Sequence, residues 1–163
     1  MEHFNIPRRE EPGLTVDDLK PEPACGPAEV APGLYAANLL GAAEAPLDYA
    51  VISLCRTADL FANYRYHRQV FLIDGHRSKN PDLPEVVQET VDAIDMALDT
   101  GLNVVVHCHG GRSRTALILK AWKMRKDGID ESAAHEWLTA SWPIAHRGNS
   151  SFYQFLINEW ENS

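Results

Sequence analysis

The sequence predicts an α/β fold, a single domain with a central, mostly parallel sheet flanked by helices. Two observations predict this class: short, continuous apolar runs typical of buried strands, and intervening segments whose apolar residues recur at helical spacing. A third is size, because 163 residues with 45% hydrophobic and 23% charged residues are typical of one globular domain.

The elements follow from local pattern. Residues 1–29 are rich in proline and acidic residues and lack periodicity, so we expect an extended N-terminal arm, followed by a domain over 30–163. Short β-branched or apolar runs predict strands, and amphipathic spacing or alanine-rich composition predicts helices. The predicted strands begin with a short one near Val30 and then cover 49–55, 69–73 and 102–107. The predicted helices cover 41–45, 82–100, 115–126, 131–140 and 151–161.

Charge, apolar runs and cysteine count exclude several classes of function. A net charge of −8 argues against a broad nucleic-acid-binding surface. No apolar run is long enough to span a membrane, and no secretory signal is visible, so we expect a cytoplasmic protein without a transmembrane segment. Three cysteines at irregular spacing do not suggest a disulfide framework, which leaves a single reactive thiol as the alternative.

One segment carries residues suited to phosphate chemistry. Cys108 follows an apolar strand, Arg114 comes six residues later where a helix begins, and Gly110 and Gly111 lie between them. Glycines let successive backbone N–H groups turn inward to bind an anion, and the helix N-terminus adds the positive end of its dipole. The guanidinium of Arg114 can bind two phosphate oxygens, and the same field favours a thiolate at Cys108. The pattern predicts a phosphate-binding loop with a nucleophilic cysteine.

The stretch His-Cys-x-x-Gly-x-Ser-Arg-Thr at 107–115 resembles the signature of the protein tyrosine phosphatase superfamily (Cys-x5-Arg), specifically its dual-specificity branch. The segments 30–38 and 48–54 are also similar to that branch, and the resemblance covers roughly 30–160. It implies a dual-specificity phosphatase-like fold with 30–163 as the catalytic domain. It also implies a cysteine-dependent phosphatase that forms a phosphocysteine intermediate and needs neither cofactor nor metal.

The resemblance also assigns roles to individual residues. Cys108 is then the nucleophile, Arg114 the phosphate clamp, Thr115 the group that helps the thiolate leave, and His107 a residue that tunes the acidity of the cysteine. The residues expected to offer backbone N–H groups to phosphate are His109, Gly110, Gly111, Arg112 and Ser113, with Arg114 after them.

A general acid must protonate the leaving oxygen. The resembling family uses an aspartate on a mobile loop about thirty residues before the cysteine, and Asp74 lies 34 residues before Cys108, directly after a predicted strand. Asp82 is the rival, although its position before an apolar helical pattern is typical of an N-cap. We expect Asp74 to act as the acid and then as the base.

Other interpretations of the cysteines remain open. Cys55 ends a predicted strand and is expected in the core. It also resembles the second cysteine of some lipid-directed relatives, which suggests a reversible Cys55–Cys108 disulfide that mass spectrometry of peroxide-treated protein would detect. A metal site at His107, Cys108 and His109 lacks the partner pattern that zinc sites show, so none is expected.

The substrate class is open at this point. A shallow pocket predicts phosphotyrosine together with phosphoserine and phosphothreonine in proteins. Extra positive charge at His109 and Arg112 favours the alternative of phosphoinositides or soluble inositol phosphates. A catalytically silent phosphate-binding module and a sulfur-transfer enzyme are the remaining alternatives. The expected partner is therefore a phosphorylated protein, or a phosphorylated small molecule or lipid headgroup.

Overall fold

The computed structural model describes residues 4–6 and 10–161. The strands in this part of the chain are β1 (Ala28–Ala31), β2 (Leu34–Ala37), β3 (Ala50–Ser53), β4 (Tyr66–Gln69) and β5 (Val104–His107). Its α-helices are α1 (Leu39–Ala42), α2 (Leu83–Asp99), α3 (Arg114–Asp127), α4 (Glu131–Ser141) and α5 (Ser150–Phe155). Short 3-10 turns occupy Asp17–Leu19 and Arg77–Lys79, and a π-helical turn over Leu156–Trp160 follows α5.

The strands form one mixed sheet in the order β1-β2-β5-β3-β4. β2, β5, β3 and β4 are parallel, and β1 pairs antiparallel with β2. The register sets Ala37 and Ser53 opposite His107, the last residue of β5. The carboxyl ends of the parallel strands therefore meet at one edge, where open α/β sheets bind their ligands. The predicted fold class is confirmed.

The core is built around β5, whose residues are all fully buried. This burial explains the uninterrupted apolar run in the sequence, because a central parallel strand is covered on both faces. Helices α2 and α3 pack against β5, and α4 packs against α3 and β1. The buried stripe of α2 follows helical spacing and consists of Leu83, Val87, Thr90, Val91, Ala93, Ile94 and Ala97.

The ends of α3 follow from local chemistry. Gly128 has φ 65°, a left-handed conformation that glycine adopts without strain, and its N–H donates to the carbonyl of Met124. A glycine directly after a helical pattern predicts such a C-terminal cap, and the structure confirms it. At the other end, α3 begins at Arg114, so the loop from Cys108 to Ser113 leads directly into its first turn.

Three predicted elements differ from the structure. The helix expected over 41–45 is instead α1 (Leu39–Ala42), which begins earlier because Asn38 caps it by accepting a hydrogen bond from Gly41 N–H. The strand expected over 69–73 is instead β4 (Tyr66–Gln69), a polar edge strand whose residues are all half-buried and therefore show no apolar run. After one further hydrogen bond from Val70 N–H to the Ser53 carbonyl, the chain leaves the sheet. The helix expected over 151–161 is shorter, because α5 ends at Phe155 and a π-helical turn replaces its last part.

The N-terminal segment packs against the domain where the structure describes it. Phe4 is fully buried and its ring meets Tyr66 edge-on, at 6.4 Å between centroids. The carbonyl of Ile6 accepts a hydrogen bond from Gln69 N–H, so residues 4–6 run along β4. β1 crosses the boundary predicted between residues 29 and 30, and that division of the chain stays a prediction. Residues 1–3, 7–9 and 162–163 lie outside the described residues.

Within the described ranges, no helix combines the length and apolar character that crossing a bilayer requires.

Candidate active site

The loop between β5 and α3 closes around the sulfur of Cys108. Gly111 N–H donates to Cys108 Sγ at 3.2 Å, and Cys108 is 3% exposed. Gly111 has φ 76°, and a Cβ there would lie 3.0 Å from both the Ala37 carbonyl oxygen and a ring carbon of Trp142. A side chain would therefore be both strained and crowded, so the loop requires glycine at this position.

Arg114 is fixed to the carboxyl edge of the sheet. Its Nη1 donates to the carbonyl of Leu54 at 3.1 Å and to that of Leu72 at 3.3 Å, just beyond β3 and β4. Its buried Nε has no hydrogen-bond partner among the described residues. The guanidinium is thus held in place through one nitrogen and retains a second donor for an anion.

His107 joins a buried chain of hydrogen bonds to β3 and β4. Its Nε2 lies 2.6 Å from Ser53 Oγ, which lies 2.8 Å from His67 Nε2, and its Nδ1 lies 3.2 Å from the Cys108 carbonyl oxygen. Burial lowers the pKa of His107 to about 3 and that of His67 to about 4, so both rings are neutral at pH 7.

Because both histidine rings are neutral, the donor and the acceptor of each hydrogen bond in this series can be assigned. A carbonyl only accepts, so His107 Nδ1 carries the hydrogen and its Nε2 accepts from the Ser53 hydroxyl. The Ser53 oxygen then accepts from His67 Nε2–H. His107 therefore acts on the backbone of Cys108, holding its carbonyl and with it the start of the loop.

Thr115 and Cys55 are both buried beside this loop. Thr115 is fully buried, and its Oγ1 has no partner among the residues that the structure describes. Cys55 is 3% exposed, and its sulfur lies 3.9 Å from His107 Nδ1. The roles expected for both residues, including a disulfide between Cys55 and Cys108, stay predictions.

A cavity of about 410 Å³ opens at this edge of the sheet. Asp74 shares its wall with Arg114 and His109, and the remaining lining residues are Leu19, Cys55, Arg56, Leu72 and Ile73. Asp82 is not one of the described residues that line it; it directly precedes α2, at the N-cap position, without a side-chain capping bond. The geometry thus brings Asp74, but not Asp82, to the loop.

Two residues outside the predicted set support the site. Trp142 Nε1–H donates to the Gly111 carbonyl at 2.7 Å, and Asn149 Nδ2–H donates to Asp74 Oδ1 at 2.9 Å. Trp142 is buried, as a tryptophan beside a helix usually is, but nothing in the neighbouring sequence indicates its contact with the loop. Asn149 has a visible signal, since asparagine before a helical segment is a typical N-cap, and its Oδ1 accepts from Phe152 N–H.

The family model described as "Dual specificity phosphatase, catalytic domain" matches residues 44–163. The chain is 28% identical over 117 residues to Dual specificity protein phosphatase 1-A of Xenopus laevis, covering 69% of this chain and 31% of the relative. It is 30% identical over 135 residues to Dual specificity protein phosphatase 9 of Homo sapiens, covering 76% and 35%. The chain therefore spans about a third of the length of these curated relatives.

Solved structures show the same fold. The crystal structure of human DUSP28 superimposes with a TM-score of 0.71 at 23% identity, over 87% of this chain and 95% of that chain. A mouse putative dual specificity phosphatase complexed with zinc tungstate gives a TM-score of 0.68 at 24% identity, over 93% of each chain. Between 87% and 93% of the chain thus has a counterpart in these two structures.

Proposed function

Because this chain belongs to the dual specificity phosphatase catalytic-domain family, we propose that it hydrolyses phosphate monoesters by attack of Cys108. The proposed substrates are phosphotyrosine and, through a shallow pocket, phosphoserine and phosphothreonine. The observation that carries the proposal is the loop itself, in which a buried cysteine sulfur accepts a hydrogen bond from Gly111 N–H and the arginine at the end of the loop has an unpartnered Nε. A cytoplasmic location and independence of metal and cofactor stay predictions.

Substrate binding is the first role of the loop. The phosphoryl oxygens accept hydrogen bonds from the backbone N–H groups of 109–114 and from the guanidinium of Arg114. The N-terminus of α3 adds the positive end of its dipole. Since the anchored Arg114 needs little ordering when substrate binds, its charge is available without side-chain rearrangement.

The first chemical step forms a phosphocysteine. The thiolate of Cys108 attacks phosphorus, the bond from phosphorus to the ester oxygen breaks, and the carboxylic acid of Asp74 gives that oxygen its proton. Asn149 positions Asp74 for this transfer by holding its Oδ1 at the rim of the cavity. The alcohol or phenol then leaves.

The second step returns the enzyme to its starting state. Water attacks phosphorus while the Asp74 carboxylate takes its proton, and the bond from sulfur to phosphorus breaks to release inorganic phosphate. The unpartnered hydroxyl of Thr115 donates to the departing sulfur and stabilises it as a thiolate.

The test compares wild type with Cys108→Ser and Asp74→Asn, using p-nitrophenyl phosphate and a phosphotyrosine peptide. We expect no turnover from Cys108→Ser and a loss of about 10²–10⁴ in kcat for Asp74→Asn. The Asp74→Asn loss is larger for the peptide, because phenolate is a poorer leaving group than nitrophenolate and depends more on its proton.

Asp82→Asn is the matched control, since it removes the rival carboxylate from outside the cavity and is expected to keep wild-type turnover. Full activity of Cys108→Ser would refute the mechanism. A loss confined to Asp82→Asn would move the acid to that residue. Tight binding of tungstate without turnover by wild type would instead indicate a silent phosphate-binding module.

A further inference from the structure

A carboxylate from the N-terminal arm lies on the phosphate-binding loop. Arg112 Nη1 is 2.8 Å from Glu22 Oε2 and 3.1 Å from Glu22 Oε1. Gly110 makes room for this pair, because a Cβ at that position would lie 2.7 Å from Glu22 Oε2 and 2.4 Å from Arg112 Nη1. The pair therefore occupies the space that a larger loop residue would fill.

The arm is held at this place by Asn38, which is 3% exposed. Asn38 Nδ2–H donates to the Pro23 carbonyl at 2.8 Å, and its Oδ1 accepts from Cys25 N–H at 2.9 Å. Its own N–H donates to the Cys25 carbonyl at 3.0 Å. These bonds flank Glu22 on its C-terminal side and fix the backbone that carries it.

On the N-terminal side of Glu22, the arm forms part of the pocket. Leu19 is 8% exposed and lines the cavity together with Arg114 and Asp74. Anchors thus lie on both sides of Glu22 and hold the backbone that carries its carboxylate next to the loop.

The position of Glu22 changes the charge that an incoming substrate meets. The hydrogen bond to Arg112, with smaller contributions from the Arg112 and His109 charges, lowers the pKa of Glu22, so its carboxylate remains ionised at neutral pH. The side chains of Arg112 and Glu22 are 43% and 40% exposed, so both charges face solvent at the loop. Arg112 is therefore compensated, and Arg114 is the loop arginine left for the reacting phosphoryl group.

We infer that Glu22 makes the pocket selective for monoesters with a single phosphoryl group, by repelling a second phosphate that Arg112 would otherwise bind. The inference rests on the proposed function and specifies its substrate class. It disfavours multiply phosphorylated inositol headgroups, whether soluble or in a lipid, because their additional phosphates meet a carboxylate rather than a free guanidinium.

The test uses Glu22→Gln, which keeps the size of the side chain and removes its charge. The readouts are the KM for p-nitrophenyl phosphate and the inhibition constant of soluble inositol hexakisphosphate, which separates headgroup chemistry from membrane binding. We expect the inhibition constant of the polyphosphate to fall about tenfold at low salt, with less than about a twofold change in KM. The reason is that removing the Glu22 carboxylate makes the net charge more positive only where a second phosphate would bind.

Two further variants make the outcome specific. Asp127→Asn removes one exposed carboxylate from an ion pair on α3 and is expected to change neither constant. Glu22→Gln combined with Arg112→Gln is expected to return inhibition to the wild-type level, which a merely loosened arm would not do. Unchanged inhibition in Glu22→Gln, or equal tightening in Asp127→Asn, would overturn the inference while leaving the phosphatase activity intact. Absence of Cys108-dependent hydrolysis in wild type would instead overturn the proposed function.

Discussion

At the scale of single residues, Arg114 and Thr115 each keep a buried polar atom that no described residue satisfies. Leaving a buried donor without a partner costs about 1–3 kcal/mol, so such atoms are rare outside functional sites. Both lie in the first turn of α3, directly after the loop that holds Cys108. An oxyanion and a thiolate leaving group are the partners that our mechanism gives them.

The half-buried ring of His67 makes the stability of the fold depend on pH. Burial holds the pKa of His67 at about 4, whereas in the unfolded chain it titrates near its ordinary value of 6.5. Between these values only the unfolded state takes up the proton, so stability falls as pH drops from about 6.5 to about 4.

His67→Gln tests this dependence, since glutamine can still donate to Ser53 Oγ but does not titrate. Between pH 4.5 and 6 we expect the unfolding free energy of the variant to change with pH less steeply than that of wild type, by about 1.4 kcal/mol per pH unit. This is the slope that one proton bound only by the unfolded state produces. Urea denaturation across that range measures it. Identical slopes for the variant and wild type would show that His67 takes up its proton as readily in the folded protein as in the unfolded chain.

Some of these residues could be predicted from sequence and others could not. Cys108, Gly111 and Arg114 lie within seven consecutive residues, so a local pattern reveals their chemistry. Glu22 lies 90 residues from Arg112 and meets it only through the fold. The prediction that Arg112 adds positive charge to the loop could not include this compensation.

At the scale of elements, the loop depends on the segment that follows α4. Trp142 holds the Gly111 carbonyl, and His146 N–H donates to the Arg112 carbonyl at 3.4 Å. Asn149, from the same segment, holds Asp74. One segment therefore positions both the proposed phosphate-binding loop and the proposed acid.

Trp142→Phe tests this coupling. Phenylalanine fills most of the space but cannot donate to Gly111, so we expect kcat/KM to fall about tenfold, the effect of a loss of about 1.4 kcal/mol in the transition state. Trp122→Phe is the matched control, because Trp122 Nε1–H donates to Asp95 away from the loop. Comparable melting temperatures with a selective loss of activity in Trp142→Phe support a positioning role. Equal activity in both variants would contradict it.

Buried elements could be predicted from the sequence, whereas a half-exposed one could not. β5 and α2 were predicted because a covered strand and an amphipathic helix each leave a clear apolar pattern. β4 was missed because an edge strand of tyrosine, histidine, arginine and glutamine is half-exposed and polar. The Leu72 carbonyl, two residues before Asp74, accepts a hydrogen bond from Arg114 rather than from a neighbouring strand, and such a tertiary contact has no local signature.

At the scale of the whole molecule, a buried ion cluster joins α3, α4 and the segment that carries Asn149. Lys120 and Glu131 have side chains 3% and 2% exposed and meet at 2.8 Å, and Arg147 binds Glu131 through two nitrogens. Burial alone would raise the pKa of Glu131, but hydrogen bonds from Arg147 and Lys120 hold it below its ordinary value. The carboxylate is therefore charged and serves both cations.

Glu131→Gln removes the charge that both cations share. We expect the unfolding free energy to fall by about 3–5 kcal/mol, because the buried Lys120 ammonium loses its counter-ion. Glu159→Gln removes the partner of Arg77 in an exposed ion pair and is expected to cost less than about 1 kcal/mol. Chemical denaturation compares the two, and similar small losses would show that the buried cluster does not stabilise the fold.

Trapping the covalent intermediate tests most directly whether Cys108 attacks phosphorus. Asp74→Asn mixed with p-nitrophenyl phosphate forms the phosphoenzyme with a good leaving group but lacks the base that hydrolyses it. Acid quenching within the first turnover, followed by digestion and mass spectrometry, is predicted to find one phosphoryl group on the peptide that contains Cys108. Release of phosphate with no phosphoryl group on Cys108 at any time would contradict nucleophilic attack by this cysteine.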